Sequence, residues 1–234
     1  AARPGYRHGI GQMVAGSIGR TIIYVALVVL AVAIIYPLIW MALNGFKSNA
    51  ELFGDPWGLP TTWRWENFAK AWQAAPFARY FLNTVMLVTM VLAAQLVLVT
   101  LAAYAFARFE FPGRQVLFAL VLMQLMVMPD VLLVENYRTM AGLGLKDTIL
   151  AIGLPYFASA FGIFLLRQAF KQVPKELDEA ARVEGCSPLG TLWRVYVPLA
   201  RPTYLAYALV SVSYPWNNFL WPLIITNSVE SRPV

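Results

Sequence analysis

Long apolar runs without charged residues dominate the chain. A helix that crosses a bilayer needs about 20 residues with few or no charges, so five runs are candidates. They are residues 21–46, 80–107, 115–129 with an apolar continuation to 134, 148–166, and 202–229. The third run spans a membrane only if Asp130 lies near the interface. The pattern therefore predicts an all-α integral membrane protein.

The distribution of lysine and arginine predicts the orientation. If the N-terminus is cytoplasmic, eleven of the 18 Lys and Arg residues lie in cytoplasmic segments, where such residues are in excess. Arg108 and Arg114, which flank a tight Pro-Gly connection, are explained in the same way. The predicted parts are a cytoplasmic N-terminal tail, residues 1–20, and a transmembrane domain, residues 21–234. Five spans place the C-terminus outside, and we expect a sixth span to be missing.

Composition supports this picture and excludes several classes of protein. The chain is 59% apolar and 13% charged, whereas soluble domains have about 25% charged residues. One cysteine, Cys186, excludes a disulfide within the chain, and one histidine, His8, excludes a His-based metal site or a Ser-His-Asp triad. The net charge of +6 is explained by topology, so we expect no nucleic-acid partner.

The first predicted outer loop contains an amphipathic pattern. Trp65, Phe68, Ala69 and Trp72 recur at the spacing of one helical face. We predict a short helix on the outer membrane surface, in contact with lipid. A docking surface for an external partner is the alternative.

The segment between the fourth and fifth runs is longer than a hairpin turn requires. Pro174 suits the start of a helix, and Gly185 can adopt the left-handed conformation that ends one. Ser187 is a helix-capping residue, and Pro188 follows at the first position of a second helix that ends at residues 197–199. Two cytoplasmic helices with an apolar stripe indicate a protein-docking surface, or a loop packed on the lipid.

This segment resembles a known motif. Residues 179–188, EAARVEGCSP, followed by Val-Pro-Leu at 197–199, resemble the EAA loop of binding-protein-dependent ABC importers. Residues 82–84, 102–114 and 216–223 extend the resemblance, which points to the second permease of carbohydrate-type importers, the group of the maltose and glycerol-3-phosphate systems. Glu184 and Cys186 stand where Asp and Ala are commoner, and both changes preserve charge or small size.

The resemblance implies a type I (MetI-like) permease bundle with five of its expected six spans. It implies a bacterial or archaeal cytoplasmic (inner) membrane, a second homologous permease, two ATPase subunits and an extracytoplasmic substrate-binding protein. A coupling loop, residues 171–199, would contact an ATPase subunit. The coupling residues that it implies are Glu179, Ala180, Ala181, Gly185, Leu189 and Pro198.

No GxxxxGK[ST] phosphate loop occurs in the sequence. We therefore expect no catalytic residues, no metal and no cofactor in this chain, with ATP and Mg²⁺ bound by the ATPase subunits. The expected function is permeation of a sugar or related polyol, glycerol-3-phosphate included.

Polar and aromatic residues inside the runs are candidates for the substrate path, because such polar groups usually face an interior or a water path. Helix-to-helix hydrogen bonding and an interfacial tryptophan belt are the alternatives. The candidates are Gln124, Asn217, Asn218, Trp216 and Trp221.

Two other classes of membrane protein compete with this interpretation. A secondary transporter would use an intramembrane acid and inverted repeats, and neither is visible in the sequence. A membrane-embedded enzyme would need His, Cys or paired Asp residues within the spans, which are also not seen.

Overall fold

A computed structural model describes residues 10–233 of the chain, with side chains from residue 19 onward. Contacts divide the chain into two compact units, Ala1–Ala75 and Pro76–Val234. The described residues form helices and connecting turns without a β-strand, which confirms the predicted all-α class.

The first unit contains one long helix and two short ones: α1 (Ile10–Asn44), α2 (Asn49–Gly54) and α3 (Glu66–Ala74). Residues Gly19–Asn44 of α1 are long and apolar enough to cross a membrane, and none of their most apolar stretch is buried. A helix that is apolar on all sides needs a lipid or protein environment. Of the predicted N-terminal tail, residues 10–20 belong to α1, and residues 1–9 lie outside the described part.

The connection between α1 and α3 is fixed by local hydrogen bonds. Ser48 and Glu51 form a reciprocal capping box at the start of α2. The Asn67 side chain donates to the carbonyl oxygens of Gly45 and Lys47, both at 3.0 Å. The predicted amphipathic helix is confirmed as α3, and its aromatic side chains are exposed in this unit.

The second unit contains the remaining helices. They are α4 (Phe77–Arg108), α5 (Arg114–Met123), α6 (Leu133–Gly142), α7 (Ile149–Gly153), α8 (Ala160–Gln172), α9 (Lys175–Val183), α10 (Pro188–Thr191), α11 (Val197–Leu199), α12 (Arg201–Asn217) and α13 (Leu220–Ile225). Helix α4 lies at the centre and packs against α7, α8 and α12. Five of its buried apolar residues belong to two apolar clusters, one around Phe170 and Tyr207 and one around Ile152 and Trp221.

Two of the predicted spans are bent rather than straight. The third run turns by 94° between Arg114–Met126 and Pro129–Gly142, and the fourth by 47° between Ile149–Tyr156 and Ala160–Gln172. Proline lacks an N–H and disfavours helical backbone in the residue before it, which accounts for the break ahead of Pro129.

The fifth run is also divided, at Asn218, into α12 and α13. Among the described residues, two single helices are long and apolar enough to cross a membrane, and up to four candidates exist if each bent pair is one span. The sequence predicted five spans, and the described helices supply two to four candidates, because hydropathy does not show where a helix breaks within an apolar run.

Candidate functional site

The first helix of the coupling loop ends in the predicted left-handed turn. Gly185 has φ +79°, and its N–H donates to the Arg182 carbonyl at 3.0 Å. The N–H of Cys186 donates to the Ala181 carbonyl at 2.9 Å. This pair of bonds is the Schellman arrangement, which satisfies carbonyl groups at a helix C-terminus. The turn fixes the direction in which the chain leaves α9.

The second helix begins where the sequence predicts. The Ser187 hydroxyl accepts the Gly190 N–H at 3.1 Å, and Pro188 occupies the first turn. Residues Leu192–Tyr196 then form a wider, π-helical turn that ends two positions before Pro198. A helical proline has no N–H and meets the carbonyl four residues earlier, so the wider turn makes room for it.

The predicted coupling residues have different environments. Glu179, Ala180 and Gly185 are exposed, as is Leu189 at 57% of its surface. Pro198 is half-buried. Ala181 is only 6% exposed, because it packs inward against this chain. Glu179 and Ala180 thus lie on the exposed side of α9.

The inner face of α9 is attached to the second loop helix through polar contacts. The Asp178 carboxylate is largely buried and lies 3.0 Å from the Arg182 guanidinium. It also accepts a hydrogen bond from the Tyr196 hydroxyl at 3.3 Å. Tyr196 is fully buried and packs edge-on against Tyr104 of α4, with ring centroids 5.1 Å apart. The coupling loop is therefore bound to the helical bundle.

Arg108 completes this attachment. Its guanidinium donates to the carbonyl oxygens of Phe170, at 2.9 Å, and Val173, and it lies 4.8 Å from the centre of the Tyr196 ring. The sequence interpretation, which assigned Arg108 to topology alone, missed these contacts. An arginine at the end of a long helix is suited to bind terminal carbonyl groups, but the sequence does not show whose.

A cavity of about 370 Å³ lies where the irregular segments of the second unit meet. Non-helical backbone at membrane depth is tolerated only where it is buried in protein or lines a water-filled space. The bends after Met126 and Tyr156 both border this cavity. None of its lining residues is charged, and its polar lining includes Gln95, Gln124, Asn136, Ser159, Tyr207 and Ser211.

Gln95 of α4 organises one wall of the cavity. Its side-chain oxygen accepts the hydroxyl groups of Tyr207, at 2.7 Å, and Ser211, at 2.5 Å. Its nitrogen donates to the Tyr156 carbonyl at 2.6 Å. These bonds join α4 to α12 and to the bend in the fourth run. They satisfy polar groups that would be costly to leave unpaired in a membrane interior.

Three predicted path residues border the cavity or the depression beside it. Gln124 lines the cavity. Asn217 and Asn218 line an open depression of about 760 Å³, which shares Val210 and Tyr214 with the cavity. The structure thus brings Gln124 and the asparagine pair to neighbouring surfaces.

The two predicted tryptophans have other surroundings. Trp216 is 44% exposed and packs edge-on against Phe81, with ring centroids 5.8 Å apart. Trp221 is 1% exposed, and its indole N–H donates to the Ile152 carbonyl at 3.1 Å. Trp221 therefore packs between helices and does not line the cavity. Trp221 lies away from the predicted path because the helix breaks at Asn218, so α13 does not continue in the direction of α12.

Comparison with known proteins agrees with the motif. The family model described as "Binding-protein-dependent transport system inner membrane component" matches residues 9–233. The chain is 35% identical over 219 residues to the probable ABC transporter permease protein YurM of Bacillus subtilis, covering 93% of this chain and 73% of YurM. It is 34% identical over 206 residues to the diacetylchitobiose uptake system permease protein NgcG of Streptomyces coelicolor, covering 87% and 68%.

A solved structure has the same fold. A chain of a bacterial ABC transporter involved in alginate import superposes with a TM-score of 0.82 at 24% identity, covering 99% of this chain and 80% of that chain. The family match confirms the resemblance to importer permeases, and the secondary-transporter alternative is wrong. The chain belongs to the family of binding-protein-dependent transport system inner-membrane components and is a permease subunit of an ABC importer.

Proposed function

We propose that the chain forms a translocation path together with a second, homologous permease, and that its coupling loop docks on one of two ATPase subunits. The ATPase subunits bind ATP and Mg²⁺ and hydrolyse ATP. An extracytoplasmic binding protein delivers the substrate. The N-terminus and the coupling loop are cytoplasmic, in a bacterial or archaeal membrane.

The observation that supports docking is the two-sided construction of α9. Its inner face is fixed by Asp178 and Ala181, which leaves Glu179 and Ala180 exposed on a helix of defined orientation. A small alanine allows another backbone to approach closely. Glu179 supplies a charged contact, and Leu189 supplies an exposed apolar one. This surface fits a groove on another protein better than the anionic inner leaflet of a membrane.

The cavity supports a neutral, hydroxyl-rich substrate. Its lining offers amides and hydroxyl groups without a charged side chain, and the depression beside it contains Asp130. A phosphate or carboxylate inside a membrane needs a cationic partner, because burying an unpaired charge is costly. We therefore propose a neutral sugar or sugar oligomer rather than glycerol-3-phosphate.

Affinity purification tests the docking proposal. Tagged wild-type protein in mild detergent should retain a second permease and an ATPase. Glu179→Lys reverses the exposed charge of α9 and should reduce the amount of bound ATPase. Glu110→Lys makes the same change at an exposed position outside the coupling loop and serves as the matched control. Equal ATPase recovery with Glu179→Lys and Glu110→Lys would contradict the docking role of Glu179.

The substrate proposal is tested with the purified importer and its binding protein. Neutral sugars should stimulate ATP hydrolysis, and Gln124→Ala should lower transport because Gln124 lines the cavity. Stimulation by a phosphorylated polyol alone would contradict the neutral assignment and leave the docking proposal untouched.

A further inference from the structure

Arg108 lies where three parts of the molecule meet. It is the last residue of α4, and it binds carbonyl groups of Phe170 and Val173 at the end of α8. It also faces the ring of Tyr196, in the second helix of the coupling loop. Its Nε atom is buried without a hydrogen-bond partner among the described residues. Topology requires only a positive charge near this end of α4 and does not account for these specific contacts.

The contacts continue from Tyr196 to the coupling helix. The Tyr196 hydroxyl donates to Asp178 on the inner face of α9. Burial raises the pKa of Tyr196 to about 12, so the hydroxyl stays protonated as a donor. A cation thus lies at the ring of the tyrosine and a carboxylate at its hydroxyl. The series Arg108, Tyr196, Asp178 connects α4 to the helix that carries Glu179.

Helix α4 connects Arg108 to the cavity. Gln95 and Arg108 belong to the same helix and are 13 residues apart, about 20 Å along its axis. Helix α4 has no internal proline, so it is a continuous rod over that distance. A displacement of the coupling loop that moves Arg108 is therefore transmitted to the wall that Gln95 organises.

We propose that Arg108 is a positioning residue that holds the coupling loop against α4 and α8, so that movement of α9 reaches the cavity. This inference rests on the proposed docking function. Both carbonyl bonds of Arg108 come from one guanidinium nitrogen, Nη2, while the guanidinium group lies against the Tyr196 ring. A lysine ammonium could bind the two carbonyls, but it lacks the delocalised planar group that packs on an aromatic ring, so Arg108→Lys tests the contact with Tyr196.

The test uses the assembled importer with its binding protein. We expect Arg108→Lys and Arg108→Gln to leave ATPase association intact and to lower the ratio of substrate-stimulated to basal ATP hydrolysis by about five-fold or more. Labelling of Cys186 in this chain, quantified by mass, should become faster because the loop is less firmly held. Arg201→Gln, which removes an exposed arginine close to the coupling loop, is the matched control and should change neither quantity.

A second variant makes the test independent of the folding of the Arg108 variants. Tyr196→Phe keeps the buried ring and removes only the bond to Asp178, so we expect a smaller loss of stimulation. Combining it with Arg108→Lys should cost less than the sum of the two losses, because both changes act on one series of contacts. An unchanged stimulation ratio in Arg108→Lys and Tyr196→Phe would overturn the proposal.

Two other results also have defined meanings. Loss of ATPase association in Arg108→Lys would make Arg108 a docking residue and overturn the positioning role. A wild-type complex that contains no ATPase would instead overturn the docking function on which the inference rests.

Discussion

Asp147 and Ser228 lie 81 positions apart in the sequence, and the Asp147 carboxylate accepts the Ser228 backbone N–H at 2.9 Å. The same oxygen accepts the N–H of Asn227 at 2.8 Å and the hydroxyl of Ser231. These bonds attach the segment after α13 to the connection between α6 and α7. Asn83 of α4 holds the same segment by donating to two of its backbone carbonyls.

We predict that Asp147→Asn lowers the thermal unfolding midpoint in detergent at neutral pH. The hydrogen bonds, that of the Ser228 N–H first, hold the pKa of Asp147 well below its usual range. The ionised carboxylate therefore contributes to stability at every pH above the unfolded-state pKa of about 4, and the contribution is lost as the pH falls through the lower folded-state pKa. Asparagine tolerates the left-handed backbone at this position, φ 62°, so the variant tests the charge.

The pH series provides the check on this prediction. The difference in midpoint between wild type and Asp147→Asn should be constant from pH 7 to about pH 5 and should shrink below about pH 4. A difference that disappears already between pH 7 and pH 6 would contradict the assignment to Asp147.

The contact between Gly162 and Tyr207 gives a second prediction. A Cβ atom at Gly162 would lie 2.5 Å from a ring atom of Tyr207 and 2.7 Å from its hydroxyl oxygen. Gly162→Ala should therefore force α8 and α12 apart and lower the free energy of unfolding by about 1–3 kcal/mol. Gly142→Ala is the control, since no atom lies within 4 Å of its added Cβ. Equal stability of the two variants in denaturant titrations would refute the packing argument.

The turn at Gly185 gives a third prediction, which distinguishes the effect of backbone conformation from that of a steric clash. No atom lies within 4 Å of a Cβ at this position, but its φ is +79°. Gly185→Val should add about 1–2 kcal/mol of backbone strain, whereas Gly185→Asn should add less. Transport by the reconstituted importer should therefore fall further in Gly185→Val than in Gly185→Asn. Equal losses would indicate that the side chain at the docking surface matters more than the left-handed turn.

Orientation is tested through Cys186, which is the only cysteine in the sequence and is partly exposed. If the coupling loop is cytoplasmic, a membrane-impermeant thiol reagent should label Cys186 in inverted membrane vesicles and not in intact cells. A Cys186→Ala variant controls for labelling of other proteins. Labelling in intact cells alone would reverse the predicted topology.

The coupling loop shows which structural features can be predicted from neighbouring residues in the sequence. Gly185, Ser187 and Pro188 act on their immediate neighbours, so their roles as stop, cap and first helical residue were predictable. Ala181 was predicted to face a partner, but it packs inward against this chain. The sequence shows which residues share a helical face, but it does not show what that face packs against. Trp221 was proposed for the substrate path because it follows Asn217 and Asn218 closely in sequence, but its side chain is buried and bound to the Ile152 carbonyl.

The sequence by itself determined the membrane class, the apolar runs and the EAA segment, because hydropathy and local motifs depend on residues close together along the chain. Only the tertiary structure decided that Gln95 joins α4 to α12, that Arg108 binds the end of α8, and that Asp147 holds the segment after α13. Each of these bonds links positions more than 60 residues apart, and many partners are chemically equivalent for an amide, a guanidinium or a carboxylate. The packing of the helices selects one partner among them.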